Sequence, residues 1–225
     1  MIYVYAITAD RPGRLGLGLA RERLRVLDGG GLAVVVGDMD TRPRPDPDRL
    51  KAHDAAVRRL SRLCPALLPA RFGWTAPGDA ELLEALAPHG PALAEALVLV
   101  RGCVQMNVRV LGRAEVAVAA PAADSGDPDR AGTRYLLERA RAQRAAESLP
   151  ELEPLRATVG PLLRAEKQER QGAAGLVGTA YHLIERTQLG AYRARVRRAT
   201  DALHPFRVHV TGPWAPYAFA PPAVS

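Results

Sequence analysis

The chain has 225 residues, a net charge of +7, 48% hydrophobic and 24% charged residues. That is enough chain for one large domain or two small ones, each with its own core. No apolar run approaches the roughly 20 residues of a membrane-spanning helix; the longest, Ala92 to Val100, is interrupted by Glu95.

The opening Met1-Ile2-Tyr3-Val4-Tyr5 has neither the basic leader nor the small-residue cleavage site of a secretory signal, which places the protein in the cytoplasm. Cys64 and Cys103 are isolated thiols, too few for a disulfide framework. The five histidines, His53, His89, His182, His204 and His209, show no metal-ligand spacing, so neither a metal nor a cofactor is expected. The positive charge points toward nucleic acid. Yet of the 31 basic residues only Lys51 and Lys167 are lysine. An arginine, alanine and proline excess is also what a GC-rich coding bias produces. Most arginines lie at helical spacing among acids and alanines, as on a solvated helix face.

In chain order, Ile2 to Thr8 reads as a strand, broken by Asp10-Arg11-Pro12-Gly13. Gly29-Gly30-Gly31 precedes Leu32 to Val36, a continuous apolar run that suits a buried strand. Arg42 to Pro47 is a loop, and Asp48 is placed to cap a helix whose Leu50, His53, Ala56, Val57, Leu60 and Leu63 share a face. Leu67 to Trp74 is a strand candidate at an edge because of Pro69. Helices follow at Ala80 to Ala87 and Ala92 to Val100. Cys103 to Leu111 alternates, with Val104, Met106, Val108 and Val110 on one face. Pro121 to Gly132 is a loop, Thr133 to about Ser148 a helix, and a further helical stretch runs from Pro154 to about Gln171. Gly172 to Gly178 is a turn. The chain ends with a strand from Thr179 to Arg186, a basic helix from Ala191 to Leu203, and a strand from Phe206 to Thr211. The grouping of helices between strands predicts an α+β fold. We expect two ferredoxin-like α/β sandwich domains, residues 1-102 and 103-225, the second elaborated with long helices and ending in an aromatic, proline-rich tail.

No enzyme constellation stands out. The chain has no P-loop, no GxSxG elbow, no HExxH and no convincing dinucleotide-binding turn. His53 and Asp54 point about 100° apart on a helix and do not face each other. Glu166 and Glu169, read on one helix face beside Lys167 and Arg170, look like surface ion pairs. What remains is aromatic display near turns. Five of the 11 aromatic residues fall in Arg71-Phe72-Gly73-Trp74 and Pro213-Trp214-Ala215-Pro216-Tyr217-Ala218-Phe219. Rings beside proline and glycine serve as rigid interface anchors; they serve equally to seal a core or a domain junction. Arg71, Phe72, Trp74, Pro213, Trp214, Pro216, Tyr217 and Phe219 are therefore the candidate partner-binding residues.

These segments resemble the GvpL/GvpF family of gas vesicle proteins. The resemblance runs through Tyr3-Val4-Tyr5-Ala6-Ile7, the helix with His53 and Val57, Leu68-Pro69-Ala70-Arg71-Phe72-Gly73 and Gly132-Thr133-Arg134-Tyr135-Leu136-Leu137-Glu138-Arg139. It continues through Ala180-Tyr181-His182-Leu183-Ile184 and Val210 to Phe219. Two places depart from the family pattern. Gln105-Met106 stands where an acidic or aromatic pair is usual, and Ala215 where proline is frequent. The resemblance implies a two-domain α+β accessory protein of gas vesicle assembly with no catalytic activity. It implies as partners the small hydrophobic main shell protein, which it would nucleate or chaperone or join as a minor shell component, and other vesicle accessories. The competing reading, from charge alone, is a basic α+β nucleic-acid-binding module; it predicts rings on an open sheet face, with Tyr3 and Tyr5 as candidates.

Overall fold

A computed structural model describes residues 1–112, 148–171 and 175–224. The fold is mixed α+β with two antiparallel sheets. The first sheet has the order β2-β3-β1-β4, built from β1 (Ile2–Thr8), β2 (Leu24–Asp28), β3 (Ala33–Asp38) and β4 (Leu67–Pro69); the short β5 (Thr75–Ala76) pairs the start of β1. The helices α1 (Pro47–Leu63), α2 (Asp79–Leu86) and α3 (Gly90–Val100) complete this half. The second sheet has the order β7-β8-β6-β9, from β6 (Cys103–Leu111), β7 (Leu163–Arg170), β8 (Leu176–Glu185) and β9 (Arg207–Trp214). Helices α4 (Glu153–Val159) and α5 (Leu189–Ala199) pack against each other over it.

The central strands are where alternation or continuous apolarity is strongest. Every residue of β1 is buried because the strand lies between β3 and β4 and is covered on both faces. β6 behaves as its alternation predicts: Val104, Met106, Val108 and Val110 enter the core under α4 and α5, and the odd positions form the opposite face. The cap of α1 lies two residues before the expected Asp48. Asp46 accepts hydrogen bonds from the Asp48 and Arg49 amides, and Pro47 takes the first turn, where its missing N–H is no loss.

Three expectations change. Residues 163–170 are the edge strand β7 and not the end of a helix: Leu-Arg-Ala-Glu-Lys-Gln-Glu-Arg has helical propensity, but its pairing with β8 prevails. Glu166 and Glu169 therefore point to opposite faces. Of the candidate strand Leu67 to Trp74 only Leu67–Pro69 is extended as β4; a turn at Gly73, whose φ of +88° favours glycine, then leads to β5 at Thr75–Ala76. Finally, β2 is a strand that the sequence reading left unassigned. The expected loop at Pro121 to Gly132 and the helix from Thr133 lie outside the described residues.

The helical run Asp79–Val100 is 22 residues long and apolar enough in composition to span a membrane. Leu82, Leu86, Leu93, Leu97 and Val100 are instead buried in the first core, and acidic residues and prolines interrupt the run. The first core draws on residues from both sides of Gly102. One cluster joins Ile2, Val4 and Leu93 to Cys103, Leu183, Phe219 and Val224, so the C-terminal tail packs into the first half.

Candidate interaction surface

The motif around Phe72 is built on a buried ring stack. Tyr3 and Tyr5 project from β1 into the space under α1, and His53 reaches them from that helix. Tyr3 Oη lies 2.9 Å from His53 Nδ1 and accepts the Gly73 amide at 3.0 Å; His53 Nε2 lies 3.1 Å from the Ala70 carbonyl. The Ala70 carbonyl can only accept, so Nε2 carries a proton. With His53 neutral, as its burial favours, Tyr3 donates to Nδ1 and Nε2–H donates to Ala70. Burial pulls the His53 pKa below its ordinary value and pushes Tyr3 up to about 12. Phe72, half-buried, lies edge-on to both Tyr3 and His53. Beside this stack Tyr5 donates to Glu22, whose other carboxylate oxygen accepts the Ala20 amide.

The tail lies across the seam between the halves. Ala218 N–H donates to Gln105 Oε1 at 2.8 Å and Lys167 Nζ donates to Ala218 O at 2.7 Å, with the ammonium 5.7 Å from the Phe219 ring centre. Ala215 enters the cluster of Tyr3, Tyr5 and Leu60, and Tyr217 packs on the same cluster. The Arg58 guanidinium stands over the Trp214 ring at 5.4 Å, and Trp214 Nε1–H donates to Thr211.

The candidate residues thus divide. Phe219 and Pro216 are buried within this chain, and Trp74 is half-buried on the first core. Phe72, Trp214 and Tyr217 are half-buried, while Arg71 and Pro213 are exposed. The two aromatic segments converge: Phe72 and Tyr217 meet the same tyrosine cluster, and Trp74 and Phe219 share the other core.

A second polar network escaped the sequence reading because Glu166 was placed on a helix. His182, 1% exposed, lies 2.8 Å from Tyr192 Oη through Nδ1. Its Nε2 faces Glu166 Oε1 at 3.4 Å, too long and poorly aimed for a hydrogen bond. Cross-strand pairing of Glu166 with His182 creates this juxtaposition. Burial raises the Glu166 pKa, but His182, Gln168 and Arg156 outweigh it and hold the carboxyl below its ordinary value.

Two grooves stand out among the described residues. A groove of about 690 Å³ between the β2–β3 turn and α2–α3 is lined by glycines and by Leu32, Val34, Leu83 and Leu86. A second, of about 930 Å³ over β7, is lined by charged groups that include the Arg156–Glu166 pair and Arg170, which pairs with Glu151 beside it. Among the described residues no cluster of three or more His, Cys, Asp or Glu could hold a metal ion. Tyr3 and Tyr5 are fully buried, so they offer no stacking platform for bases.

Two antiparallel sheets with helices, and an aromatic tail that spans them, define a two-sheet α+β protein. Comparison with known proteins makes the class specific. The family described as gas vesicle synthesis protein GvpL/GvpF matches residues 1–221, and the chain belongs to that family. Gas vesicle protein L of Streptomyces sp. (strain CB03234) is 30% identical over 97% of this chain and 92% of its own length. Gas vesicle protein F of the same strain is 27% identical over 96% and 98%. The crystal structure of gas vesicle protein GvpF from Anabaena sp. PCC7120 shares the fold with a TM-score of 0.72 at 17% identity, covering 98% of this chain and 95% of that one. GvpF from Microcystis aeruginosa gives a TM-score of 0.73 at 15% identity, covering 98% of both chains. Membership supports an accessory role in gas vesicles and association with other vesicle components.

Proposed function

We propose that this protein acts in the cytoplasm in gas vesicle assembly, binding the main hydrophobic shell protein as nucleator, chaperone or minor shell component. A β-rich apolar subunit waiting to polymerise exposes strand edges and apolar surface, which aggregate unless shielded. The observation that carries the reading is the half-exposed ring set Phe72, Trp214 and Tyr217, which the buried tyrosine cluster, Arg58 and the tail hydrogen bonds hold rigid. Anchors ordered before binding lose little entropy on contact. The surplus of arginine would speed encounter with an acidic partner.

The same reading treats residues 1–102 and 103–225 as two variants of one ferredoxin-like unit. The order second-third-first-fourth strand, repeated in both sheets, supports it.

Capture of the purified shell protein by the wild type and by a Trp214→Ala, Tyr217→Ala double variant tests the proposal. The variant should capture markedly less. Equal capture, with the fold intact by circular dichroism, removes these rings from the interface; no capture by the wild type removes the shell protein as partner.

A further inference from the structure

Among the described residues β2, β4 and β7 end their sheets, with the two-residue β5 beside β4, and each of these three has a neighbour on its outer side. The start of β2 is covered by residues 16–18, through the Leu24 amide to Gly16 O and the Leu17–Arg23 bridge. β4 lies against α3 and the tail turn at Tyr217–Phe219. β7 is tied to residues 148–151 by Gln168 and Arg170. Along β9, β6 is the only strand partner among the described residues, and the one side chain on its backbone there is Arg193, which donates to the Gly212 carbonyl at 3.2 Å, beyond Thr211. Its outer N–H and C=O groups from Arg207 to Thr211 are a template for another strand, which ends at Pro213.

The two sides of that edge differ. Toward the core, Phe206, Val208 and Val210 are half-buried at the margin of the second cluster. On the opposite face, Arg207 and His209 are exposed, and His209 pairs across to the exposed Arg109 on β6. No salt bridge involves Arg109 or Arg207 among the described residues, and β6 and β9 place no carboxylate on this face. A second copy of β9 would bring another set of cations and nothing to answer them. RNA would find no exposed ring stack there.

We infer that β9 is a strand-addition edge for an extended polypeptide segment that alternates carboxylate and apolar side chains. Main-chain hydrogen bonds to the outer side of Arg207–Thr211 supply affinity. The apolar residues cover Phe206, Val208 and Val210, while the carboxylates meet Arg207 and Arg109. This deepens the proposed function, since it rests on the reading that the protein holds another chain, and it names a docking edge separate from the ring set.

The test uses the full chain and a short labelled peptide of alternating Glu and Val, followed by fluorescence anisotropy. The wild type should bind it. An Arg109→Glu, Arg207→Glu pair should weaken binding by about tenfold or more, whereas Arg197→Glu, Arg198→Glu on α5 should change it by no more than about twofold. N-methylation of alternate peptide amides should abolish binding, because it removes the ladder donors. Equal weakening by both charge pairs, or equal binding of the N-methylated peptide, overturns the inference. So does tighter binding of a single-stranded oligonucleotide that is lost in the same β6–β9 variant. Shell-protein capture separates the two levels. Capture without peptide binding removes this edge and leaves the proposed function; peptide binding without capture does the reverse.

Discussion

Gln105 and Ala218 are 113 residues apart in sequence and joined by a 2.8 Å hydrogen bond, the side-chain oxygen accepting the tail amide. Gln105 is 2% exposed, and its amide nitrogen donates to Asn107 Oδ1 at 2.7 Å, so both ends of the group are used. The bond fastens the tail to the second sheet. Replacing it with leucine keeps the volume and leaves the Ala218 amide without its partner. We expect a loss of about 1–3 kcal/mol in chemical unfolding and faster hydrogen exchange at Ala218. Unchanged exchange there would show that the tail is held by its apolar packing alone.

His53 makes stability depend on pH. Its folded pKa lies below its ordinary value of 6.5, mainly through burial, so below pH 6.5 the unfolded chain binds a proton that the folded chain refuses. Stability should therefore be full above that pH and fall as pH drops from 6.5 toward the folded pKa. An NMR titration of the His53 ring should give a midpoint under 6.5. A midpoint at or above that value contradicts the neutral Tyr3–His53–Ala70 chain.

Arg25 carries four hydrogen bonds, two each to Asp38 and Asp79, and joins the first sheet to the start of α2. The network is solvated, with the guanidinium 36% exposed and the carboxylates more so. An Arg25→Ala variant should lose only about 1 kcal/mol, and less at high salt. A loss several times larger would mean that the arginine stem packs in a way the ion pairs do not reveal.

Gly178 lies on β8 between Val110 and Arg170. A Cβ there would stand 2.6 Å from the Glu169 carbonyl oxygen and from Leu149 Cδ2. Backbone cannot yield as a side chain does, so Gly178→Ala should destabilise by roughly 1–3 kcal/mol. By contrast, Gly160→Ala, with open space around its Cβ, should not lose stability by thermal melting.

Much of the fold could be read in the residues. β1, β3, β6, β8 and β9 carry apolar runs or alternation strong enough to place them within a few residues, and α1 declares itself by the repeat from Leu50 to Leu63. β7 and β2 could not be read as strands. The residues of β7 favour helix locally, and only β8 supplies the hydrogen bonds that outweigh that preference. The ring-bearing segments were conspicuous, but the burial of Pro216 and Phe219 was not, because burial is a property of the neighbours and not of the residue.

The residues alone determined the α+β class, the family and the two aromatic segments, since periodicity and motif are local and survive without coordinates. Only the tertiary structure decided that the tail crosses the seam, that Glu166 meets His182, and that β9 is the edge left open among the described residues. Each of these depends on which strands lie side by side, and pairing is settled by hydrogen bonds and packing between residues far apart in the chain.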